Sequence, residues 1–345
     1  MPAQRRPARA EASPSPSSMN DGGGSGANGG LELVGVSAAV EELRALAARV
    51  AASTASVLIT GESGCGKEVL ARWLHAHSPR AAGPFVAINC AALPDSLVES
   101  ELFGYDRGAF TGAVEAKPGL FEQANGGTLF LDEVTEVAPL LQAKLLRALQ
   151  DRTTRRLGSL RPVRLDVRVV AASNLDPAAA LRDGRLREDL YYRLRVVELR
   201  IPPLRERPED LGPLCRHFFA RFAAAGAHRF RDAGLDALEA MEAYPWPGNV
   251  RELENAVERA TVLALPADGD VLPLHLLPDE VRAAAPPAAA PSPAGARLDL
   301  AGATRRLRRR YLAEALRRSG GNKSEAARLL GISRRGFYDL LREAR

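Results

Sequence analysis

One stretch of this 345-residue chain combines the residues and the local structure that hold phosphate groups. Residues 57–68 read Val-Leu-Ile-Thr-Gly-Glu-Ser-Gly-Cys-Gly-Lys-Glu, an apolar run followed by a Gly-rich turn and then by apolar residues at helical spacing. The glycines let successive backbone N–H groups turn toward one centre, where the helix N-terminus and the Lys67 ammonium add positive potential. The G-x-x-x-x-G-K spacing between a predicted strand and a predicted helix therefore predicts a polyphosphate site. Its predicted residues are Gly61, Glu62, Ser63, Gly64, Cys65, Gly66, Lys67 and Glu68.

A pair of acidic residues follows a second apolar run. Residues 127–131 predict a buried strand, and Asp132 and Glu133 come directly after it. Asp132 is the predicted ligand of Mg²⁺ beside the phosphates, and Glu133 is suited to orient and deprotonate an attacking water. Glu68 stands where Ser or Thr normally gives Mg²⁺ a hydroxyl, so the metal must rely on Asp132 and water. The alternative is that the pair merely caps the next helix, and the phosphate loop upstream argues against it.

The pattern around these residues predicts the elements that position them. Apolar runs at 57–60, 84–89, 127–131, 167–172 and 196–199 alternate with helical segments, as in a parallel sheet covered by helices on both faces. We therefore predict an α/β nucleotide-binding domain whose ligand lies at the carboxyl ends of the strands.

Two asparagines follow strands of this predicted sheet. Asn89 and Asn174 could hydrogen-bond to Glu133 or to the last phosphate, although an isolated asparagine at such a position is more often a turn former.

A glycine-hinged segment lies between the second and third predicted strands. Residues 99–113 contain glycines at 104, 108 and 112, which break any helix, and Phe110 with Thr111 stands near the tip. A bulky apolar residue on a flexible tip predicts a protein contact. The alternative is that Phe110 packs against its own domain.

Composition sets the domain boundaries. Residues 1–30 are rich in Pro, Ser, Gly and Ala and predict a disordered arm. Residues 31–265 are globular, with the α/β core ending near residue 203 and a helical lid at 204–265. Residues 266–300 hold many prolines and predict a linker before a C-terminal helical domain at 301–345.

The chain has no apolar run of roughly 18 residues and no secretory leader, so we expect no membrane contact. Its three cysteines are far apart in sequence and lack metal-ligand spacing, which fits unpaired thiols in the reducing cytoplasm.

The net charge is concentrated in the tail. Residues 297–345 contain 14 Lys and Arg against 5 Asp and Glu, while the rest of the chain contains 33 against 37. Basicity of this kind fits either a solvated helix surface or a nucleic-acid-binding module. Asn322 and Ser333 predict the starts of two helices separated by a break at Gly331, a helix-turn-helix whose second helix would enter the major groove of double-stranded DNA. The predicted DNA-contact residues are Lys323, Ser333, Arg334, Arg335 and Tyr338, and a helix around Tyr311 is expected to pair two subunits.

Together these motifs resemble the sigma-54-dependent transcriptional activators, the bacterial enhancer-binding proteins, from about residue 31 to the end. The family joins a AAA+ P-loop ATPase domain to a Fis-type helix-turn-helix domain. The most specific segment is Gly-Ala-Phe-Thr-Gly-Ala, which is identical to the family's signature loop for contacting sigma-54. Its residues are Gly108, Ala109, Phe110, Thr111, Gly112 and Ala113.

The resemblance implies an activity, its ligands and its partners. ATP and Mg²⁺ would bind at the phosphate loop, and a homo-oligomer, from dimer to hexamer, would hydrolyse ATP. The oligomer would bind enhancer-like DNA and remodel the closed complex of sigma-54 RNA polymerase holoenzyme into the open complex.

Individual residues acquire roles through the same resemblance. Asn89 resembles the switch residue that holds the glutamate of the Walker B pair, and Asn174 and Arg251 lie at the first and second sensors. Arg187 and Arg193 look like the arginine fingers that reach a neighbour's nucleotide. Cys65 replaces the family's usual Thr, which should be tolerated because the backbone holds the phosphates.

Two other function classes fit parts of the chain. A DNA-binding regulator with a relic ATPase fold would not need Lys67, Asp132 and Glu133, all of which are intact. A AAA+ remodeller with a different target would not need the segment 108–113. Only about 30 residues precede the ATPase pattern, so we expect control through expression or through a trans-acting protein.

Overall fold

The computed structural model describes residues 32–226, 230–285, 315, 319, 322–334, 336–337 and 340. The predicted arm at 1–30 lies outside the described residues. Residues 1–285 and 286–345 form two compact units, which are treated separately below. Among the helices of the described residues, none combines the length and the apolar character that crossing a membrane requires.

The first unit contains eleven strands and eleven α-helices within the described residues. The strands are β1 (Val57–Thr60), β2 (Phe85–Asn89), β3 (Gly104–Tyr105), β4 (Lys117–Pro118), β5 (Thr128–Asp132), β6 (Thr153–Thr154), β7 (Val163–Arg164), β8 (Arg168–Ser173), β9 (Val197–Arg200), β10 (Asp232–Ala233) and β11 (Val271–Leu272). The helices are α1 (Ala38–Ala51), α2 (Lys67–Ala76), α3 (Asp95–Phe103), α4 (Leu120–Gln123), α5 (Pro139–Asp151), α6 (Pro177–Arg182), α7 (Glu188–Leu194), α8 (Leu211–Ala224), α9 (Leu235–Ala243), α10 (Asn249–Leu263) and α11 (Asp279–Ala283).

A five-stranded parallel sheet with the order β2-β5-β8-β1-β9 forms the centre of this unit. Successive side chains of a strand point to opposite faces, so Leu129 and Leu131 of β5 pack with α3, α5 and α7. Phe130, between them, packs with α1 and α2 on the other face. Both faces are thus buried, which explains the continuous apolar runs in the sequence. The predicted α/β class and all five predicted strands are confirmed.

The parallel arrangement gathers the polar residues at one edge of the sheet. Asn89 and Asp132 are register partners at the ends of β2 and β5, and Thr60 pairs with Ser173 at the ends of β1 and β8. The phosphate loop, the acidic pair and the Ser173-Asn174 segment therefore meet although they are far apart in sequence.

Two short antiparallel hairpins lie outside the main sheet. One pairs β3 with β4 and encloses the Gly108–Ala113 segment, and the other pairs β6 with β7. The hairpins are joined because the Asp106 amide donates to the Leu157 carbonyl at 2.9 Å and the Leu157 amide donates to the Gly104 carbonyl at 2.9 Å. The second hairpin thus supports the base of the first.

The lid has its own apolar core, which extends beyond its predicted end. Trp246 is buried at the centre of α8, α9 and α10 and donates through Nε1 to the Met241 carbonyl at 2.8 Å. Leu272, Leu276, Leu277 and Val281 complete the same core. Residues 266–285, assigned above to a linker by their prolines, are therefore folded into the lid. The prolines begin short helical turns at 266–268 and 274–276 and do not mark an open chain.

In the second unit the described residues form part of a small helical core. Asn322 caps a helix, α12 (Lys323–Leu329), by accepting from the Ser324 and Glu325 amides at 3.1 and 3.3 Å. The chain reverses at Gly331, whose φ is 65°. Phe337 then packs against Ala326 and Ala327, so the predicted turn between two helical segments is observed. The helix predicted around Tyr311 lies outside the described residues.

We expect the lid boundary to show in stability measurements. Leu277→Ala should lower the free energy of unfolding by about 2–4 kcal/mol, because a fully buried leucine leaves a cavity when truncated. Leu265→Ala, at a 64% exposed position in the same region, should change it by less than about 0.5 kcal/mol. Denaturant unfolding of both variants measures this. If both variants changed the free energy of unfolding by the same small amount, residues 266–285 would behave as a linker and not as part of the lid.

Candidate functional site

The phosphate loop adopts the open conformation that its glycines predict. Gly64 and Gly66 have φ values of 76° and 105°, in the region that side chains disfavour. Gly66 precedes α2 without a side-chain cap, so the N–H groups of the first helical turn are available to an anion. Lys67 is buried at the start of α2 and its Nζ donates to the Gly61 and Glu62 carbonyls at 2.9 and 3.1 Å. The loop is therefore shaped to surround phosphate oxygens.

The acidic pair lies beside this loop. Glu133 is 8% exposed, and its Oε1 lies 3.9 Å from Lys67 Nζ. Its Oε2 accepts a hydrogen bond from the main-chain N–H of Asn174 at 3.2 Å. Glu133 adopts a φ of 57°, a conformation that costs a non-glycine residue roughly 1–2 kcal/mol. Such strain is typical of functional positions. The structure thus brings Lys67, Glu133 and Asn174 together, although Asn174 binds through its main-chain N–H and not through the side-chain amide that the sequence suggested.

Asn89 lies at the same edge but binds a different partner from the one implied by the resemblance. Its Nδ2 donates to Asp132 Oδ2 at 3.3 Å, and its Oδ1 accepts from the Ala91 amide at 2.9 Å. The other oxygen of Asp132 accepts from the Glu133 amide at 3.1 Å. In this structure Asn89 therefore orients the metal-ligand candidate Asp132 rather than Glu133.

The electrostatics of the pair are dominated by burial. Burial raises the pKa of Asp132 and of Glu133, and the Lys67 ammonium opposes that rise in both cases. The Asn174 amide also lowers the pKa of Glu133. A glutamate with a raised pKa next to a phosphate site is better suited than an exposed one to accept a proton from water.

The donor set fits Mg²⁺ only in part. In the described residues no three of the side chains Asp, Glu, His and Cys converge as a metal cage. Asp132 supplies one carboxylate, and Glu68 is paired with Arg72 at 2.7 Å on the exposed side of α2. Mg²⁺ is commonly held by one or two carboxylates together with phosphate oxygens and water, so this set suits an ion that arrives with its nucleotide.

The predicted arginines occupy three separate positions. Arg251 lies on α10 of the lid, and its amide donates to the Gly64 carbonyl of the phosphate loop at 3.2 Å. Arg187 is exposed and binds Asp189 through Nε and Nη2 at 3.1 and 2.7 Å. Arg193 donates to the Leu149 carbonyl at 2.8 Å. The partners of Arg187 and Arg193 belong neither to the phosphate loop nor to the acidic pair. Both residues are exposed, Arg187 just before the first residue of α7 and Arg193 in its last turn.

An apolar cavity adjoins the phosphate loop and was not predicted from the sequence. Its volume is about 150 Å³, and Leu33, Val34, Val69, Phe218 and Val250 contribute to its walls. These residues come from four distant segments without a common motif, so their spacing carried no signal. The cavity could take a flat apolar ring close to the phosphate site.

Arg207 and Asp210 form a buried ion pair next to this cavity, with Nη1 of the first 3.8 Å from Oδ2 of the second, and the pair joins the lid to the core. Arg207 is 4% exposed, and its Nη2 donates to the Cys65 carbonyl at 3.3 Å. Asp210 is fully buried and accepts from the Val36 and Ser37 amides at 2.6 and 2.8 Å. A signal that could have found this pair is the group of charged residues at 205–210, shortly after the last strand of the sheet.

The Gly108–Ala113 segment forms a closed surface turn. The Gly108 amide donates to the Ala113 carbonyl at 2.9 Å, and Gly108 and Gly112 adopt φ values of 84° and 110°. The rings of Phe110 and Tyr105 meet edge to face with their centroids 4.9 Å apart, and Phe110 remains 44% exposed. The turn thus holds an apolar ring at the surface instead of burying it in its own domain.

The predicted DNA-contact residues are only partly described. Lys323 is the first residue of α12, and Arg334 is exposed at the start of the following segment. Ser333 accepts from the Gly336 amide at 3.1 Å, so its hydroxyl caps the second helical segment. Arg335 and Tyr338 lie outside the described residues.

The chain matches known families along most of its length. Residues 33–200 match the family described as Sigma-54 interaction domain, and residues 205–294 match AAA+ ATPase lid domain. Residues 305–343 match Bacterial regulatory protein, Fis family.

Whole-protein relatives cover the same region. The chain is 45% identical over 311 residues to Transcriptional regulatory protein FlbD of Caulobacter vibrioides, covering 88% of this chain and 68% of that protein. It is 46% identical over 298 residues to Regulatory protein AtoC of Escherichia coli, covering 86% and 64%. The structure of NtrX from Brucella abortus in complex with ATP superposes with a TM-score of 0.69 at 36% identity, covering 91% of this chain and 69% of that one. The chain thus spans about two thirds of the length of these relatives.

The raised pKa of Glu133 predicts a pH-dependent stability effect. Because the folded state retains the Glu133 proton above the ordinary value of 4.5, the ionised carboxylate opposes folding once the pH rises through the folded-state pKa. Glu133→Gln should therefore raise the midpoint of thermal unfolding at about pH 8, and the gain should shrink as the pH falls toward about 4.5. Glu115→Gln, at an exposed position that does not contribute to the shift of Glu133, is the control and should show little change at either pH. A loss of stability in Glu133→Gln at pH 8 would contradict the expected sign.

Proposed function

We infer the function from the family to which this chain belongs, the sigma-54-dependent transcriptional activators, which join a AAA+ ATPase domain to a Fis-type DNA-binding domain. We propose that the protein hydrolyses ATP to convert the closed complex of sigma-54 RNA polymerase into the open complex. The observation that carries this is the pairing of Lys67 with Glu133 at 3.9 Å beside the phosphate loop. The exposed Phe110 on the same unit supplies the contact to the polymerase.

ATP would lie with its phosphates over the N-terminus of α2. Lys67 would leave the Gly61 and Glu62 carbonyls, which it binds in this structure, and pair with the β- and γ-phosphates. The apolar cavity of about 150 Å³ beside the loop would take the adenine ring. NtrX from Brucella abortus has been crystallised with ATP, which supports ATP as the ligand.

Glu133 would act on the attacking water. Its carboxylate accepts the water proton while the water oxygen bonds to the γ-phosphorus and the bond to the bridging oxygen breaks. The main-chain N–H of Asn174, 3.2 Å from Glu133 Oε2, fixes the orientation of this carboxylate. When bound, Mg²⁺ would neutralise phosphate charge, with Asp132 as its protein ligand and Asn89 holding that carboxylate in place.

Hydrolysis would require a second subunit. Arg187 and Arg193 bind partners outside their own phosphate site, which suits side chains that serve a neighbouring subunit in a dimer-to-hexamer assembly. A cationic side chain at the γ-phosphate stabilises the charge of the transition state. ATP turnover would therefore depend on assembly, and assembly on protein concentration or on a trans-acting regulator.

The second unit would bring the assembly to its promoter. Exposed Arg334 and Lys323 at the starts of the two helical segments would bind phosphates or base edges of enhancer DNA. The sequence assigns the same role to Ser333, Arg335 and Tyr338. We place this activity in the cytoplasm, where DNA and RNA polymerase are found.

Arginine-finger function predicts complementation between inactive subunits. Arg193→Ala should lower ATP turnover on the order of 10³-fold, the lower range of such effects in other NTPases, and Glu133→Gln should abolish it. Because the first variant keeps its water-activating glutamate and the second keeps its fingers, mixing the two should restore part of the activity.

Steady-state ATPase assays on the single variants and on the mixture measure this complementation. Arg182→Ala, an exposed arginine on the preceding helix, is the matched control and should keep its activity. If the mixture remained as inactive as its components, action in trans would be excluded.

Coupling to the polymerase should depend on the surface turn. Phe110→Ala and Thr111→Ala should keep ATPase activity within about twofold, because neither residue contacts the phosphate site, yet lose open-complex formation. The assay is ATP-dependent opening of a premelted promoter by sigma-54 holoenzyme. Val114→Ala, 73% exposed just beyond the turn, is the control. Normal promoter opening by both turn variants would show that the turn is not the contact.

A further inference from the structure

Glu62, in the phosphate loop, is held by the lid through both oxygens of its carboxylate. Arg205 donates to Oε1 from Nη2 at 2.6 Å and to Oε2 from Nη1 at 2.8 Å, a two-point ion pair. Asn249 adds a third hydrogen bond from Nδ2 to Oε2 at 3.1 Å. These contacts lower the pKa of Glu62 to about 2, so the carboxylate is ionised at any pH at which the protein would work.

Asn249 is itself fixed by three segments of the chain. It is fully buried at the first position of α10 and adopts a φ of 53°, a conformation that asparagine tolerates better than most residues. Its Oδ1 accepts from the Leu204 amide at 2.8 Å, and its Nδ2 also donates to the Ser63 carbonyl at 3.0 Å. One side chain thus joins the phosphate loop, the connector after the sheet and the lid helix α10.

The backbones also approach closely at this point. A Cβ atom added to Gly64 would lie 2.2 Å from the Gly248 carbonyl oxygen, so only glycine fits there. The neighbouring Gly64 carbonyl accepts from the Arg251 amide. The N-terminus of α10 therefore lies directly on the phosphate loop, with Arg251 in the first turn of the helix.

Glu62 faces the phosphate-binding lysine on its other side. Its main-chain carbonyl accepts from Lys67 Nζ at 3.1 Å while its carboxylate is bound by Arg205 and Asn249. A single residue is thus bonded both to the group that receives the nucleotide phosphates and to the lid. A movement of Lys67 would therefore change a hydrogen bond of Glu62, the same residue whose carboxylate is bound by the lid.

We propose that Glu62, Arg205 and Asn249 form a clamp that positions the phosphate loop against the lid and thereby sets nucleotide affinity, a role that rests on the proposed ATPase function. None of the three side chains forms a hydrogen bond or an ion pair with Asp132 or Glu133. They are therefore positioning residues for nucleotide binding, and the hydrolytic step is carried out by other groups.

The test compares nucleotide binding with turnover in the full-length protein. Arg205→Ala should raise KM for ATP and the Kd of a fluorescent ADP analogue by roughly three- to tenfold, as expected for a partly exposed ion pair. Asn249→Ala removes two hydrogen bonds to the phosphate loop and one to the Leu204 amide, so it should raise both constants at least as much. At saturating ATP, kcat should fall by less than about twofold. Arg205→Lys keeps the charge but loses the two-point geometry, so its Kd should lie between those of the wild type and Arg205→Ala.

Salt dependence separates the clamp from a general loss of stability. Screening weakens an exposed ion pair, so the difference in Kd between wild type and Arg205→Ala should narrow as salt increases. Arg216→Ala is the matched control, because Arg216 forms a similarly exposed pair with Asp232 at 3.4 Å entirely within the lid. It should leave KM and Kd unchanged.

The outcomes distinguish this proposal from the proposed function. If wild type binds the ADP analogue but turns over no ATP, the proposed ATPase fails while the clamp is still tested by Kd. If wild type is active and Arg205→Ala and Asn249→Ala bind nucleotide as Arg216→Ala does, the clamp is refuted. A fall in kcat with unchanged KM in the clamp variants would also refute it.

Discussion

The placement of two opposite charges in a largely buried position is the constraint on which the rest of the first unit depends. Lys67 and Glu133 are both less than a tenth exposed, and their charged atoms lie 3.9 Å apart. Burying such groups is unfavourable unless each charge retains polar partners. Lys67 keeps two carbonyls and Glu133 keeps the Asn174 amide, and these partners come from the ends of different strands. The register of the parallel sheet therefore decides whether the site can exist.

The lid belongs to the site as much as the sheet does. The N-terminus of its helix α10 packs against Gly64. In the connector before α8, Arg205 binds Glu62 and Arg207 binds the Cys65 carbonyl, both in the phosphate loop. The main chain around the phosphates is thus held from the sheet on one side and from the lid on the other. Such double support fits a Gly-rich loop, since glycines have no side chains with which to anchor themselves.

The surface turn at residues 108–113 differs from the phosphate loop, because it exposes its apolar side chain to solvent. Phe110 is held by a turn whose backbone hydrogen bonds join Gly108 to Ala113 and Ala109 to Asp106, and its ring touches that of Tyr105 at the base of the hairpin. The turn presents the ring to solvent at 44% exposure while the two hairpins brace each other through Leu157. An exposed aromatic residue on a braced turn costs the fold little and suits a contact with another protein.

The sequence by itself determined the strands, the phosphate loop and the acidic pair, because each depends on local pattern. Five apolar runs became the five strands of the sheet, and Lys67, Asp132, Glu133 and Asn174 met at its carboxyl edge because parallel strands end on the same side. The helix-turn-helix pattern was equally local, as the cap at Asn322 and the reversal at Gly331 illustrate.

Only the tertiary structure decided which distant side chains pair. Asn89 binds Asp132 rather than Glu133, because β2 and β5 are neighbours in register. Residues 266–285 pack into the lid although prolines predicted a linker, because four apolar side chains there find a core made by α8–α10. Arg205 and Asn249 are separated from Glu62 by 143 and 187 residues, so no spacing in the sequence could relate them. Periodicity and motif spacing report on neighbours along the chain, whereas these contacts arise only after the lid has folded back onto the phosphate loop.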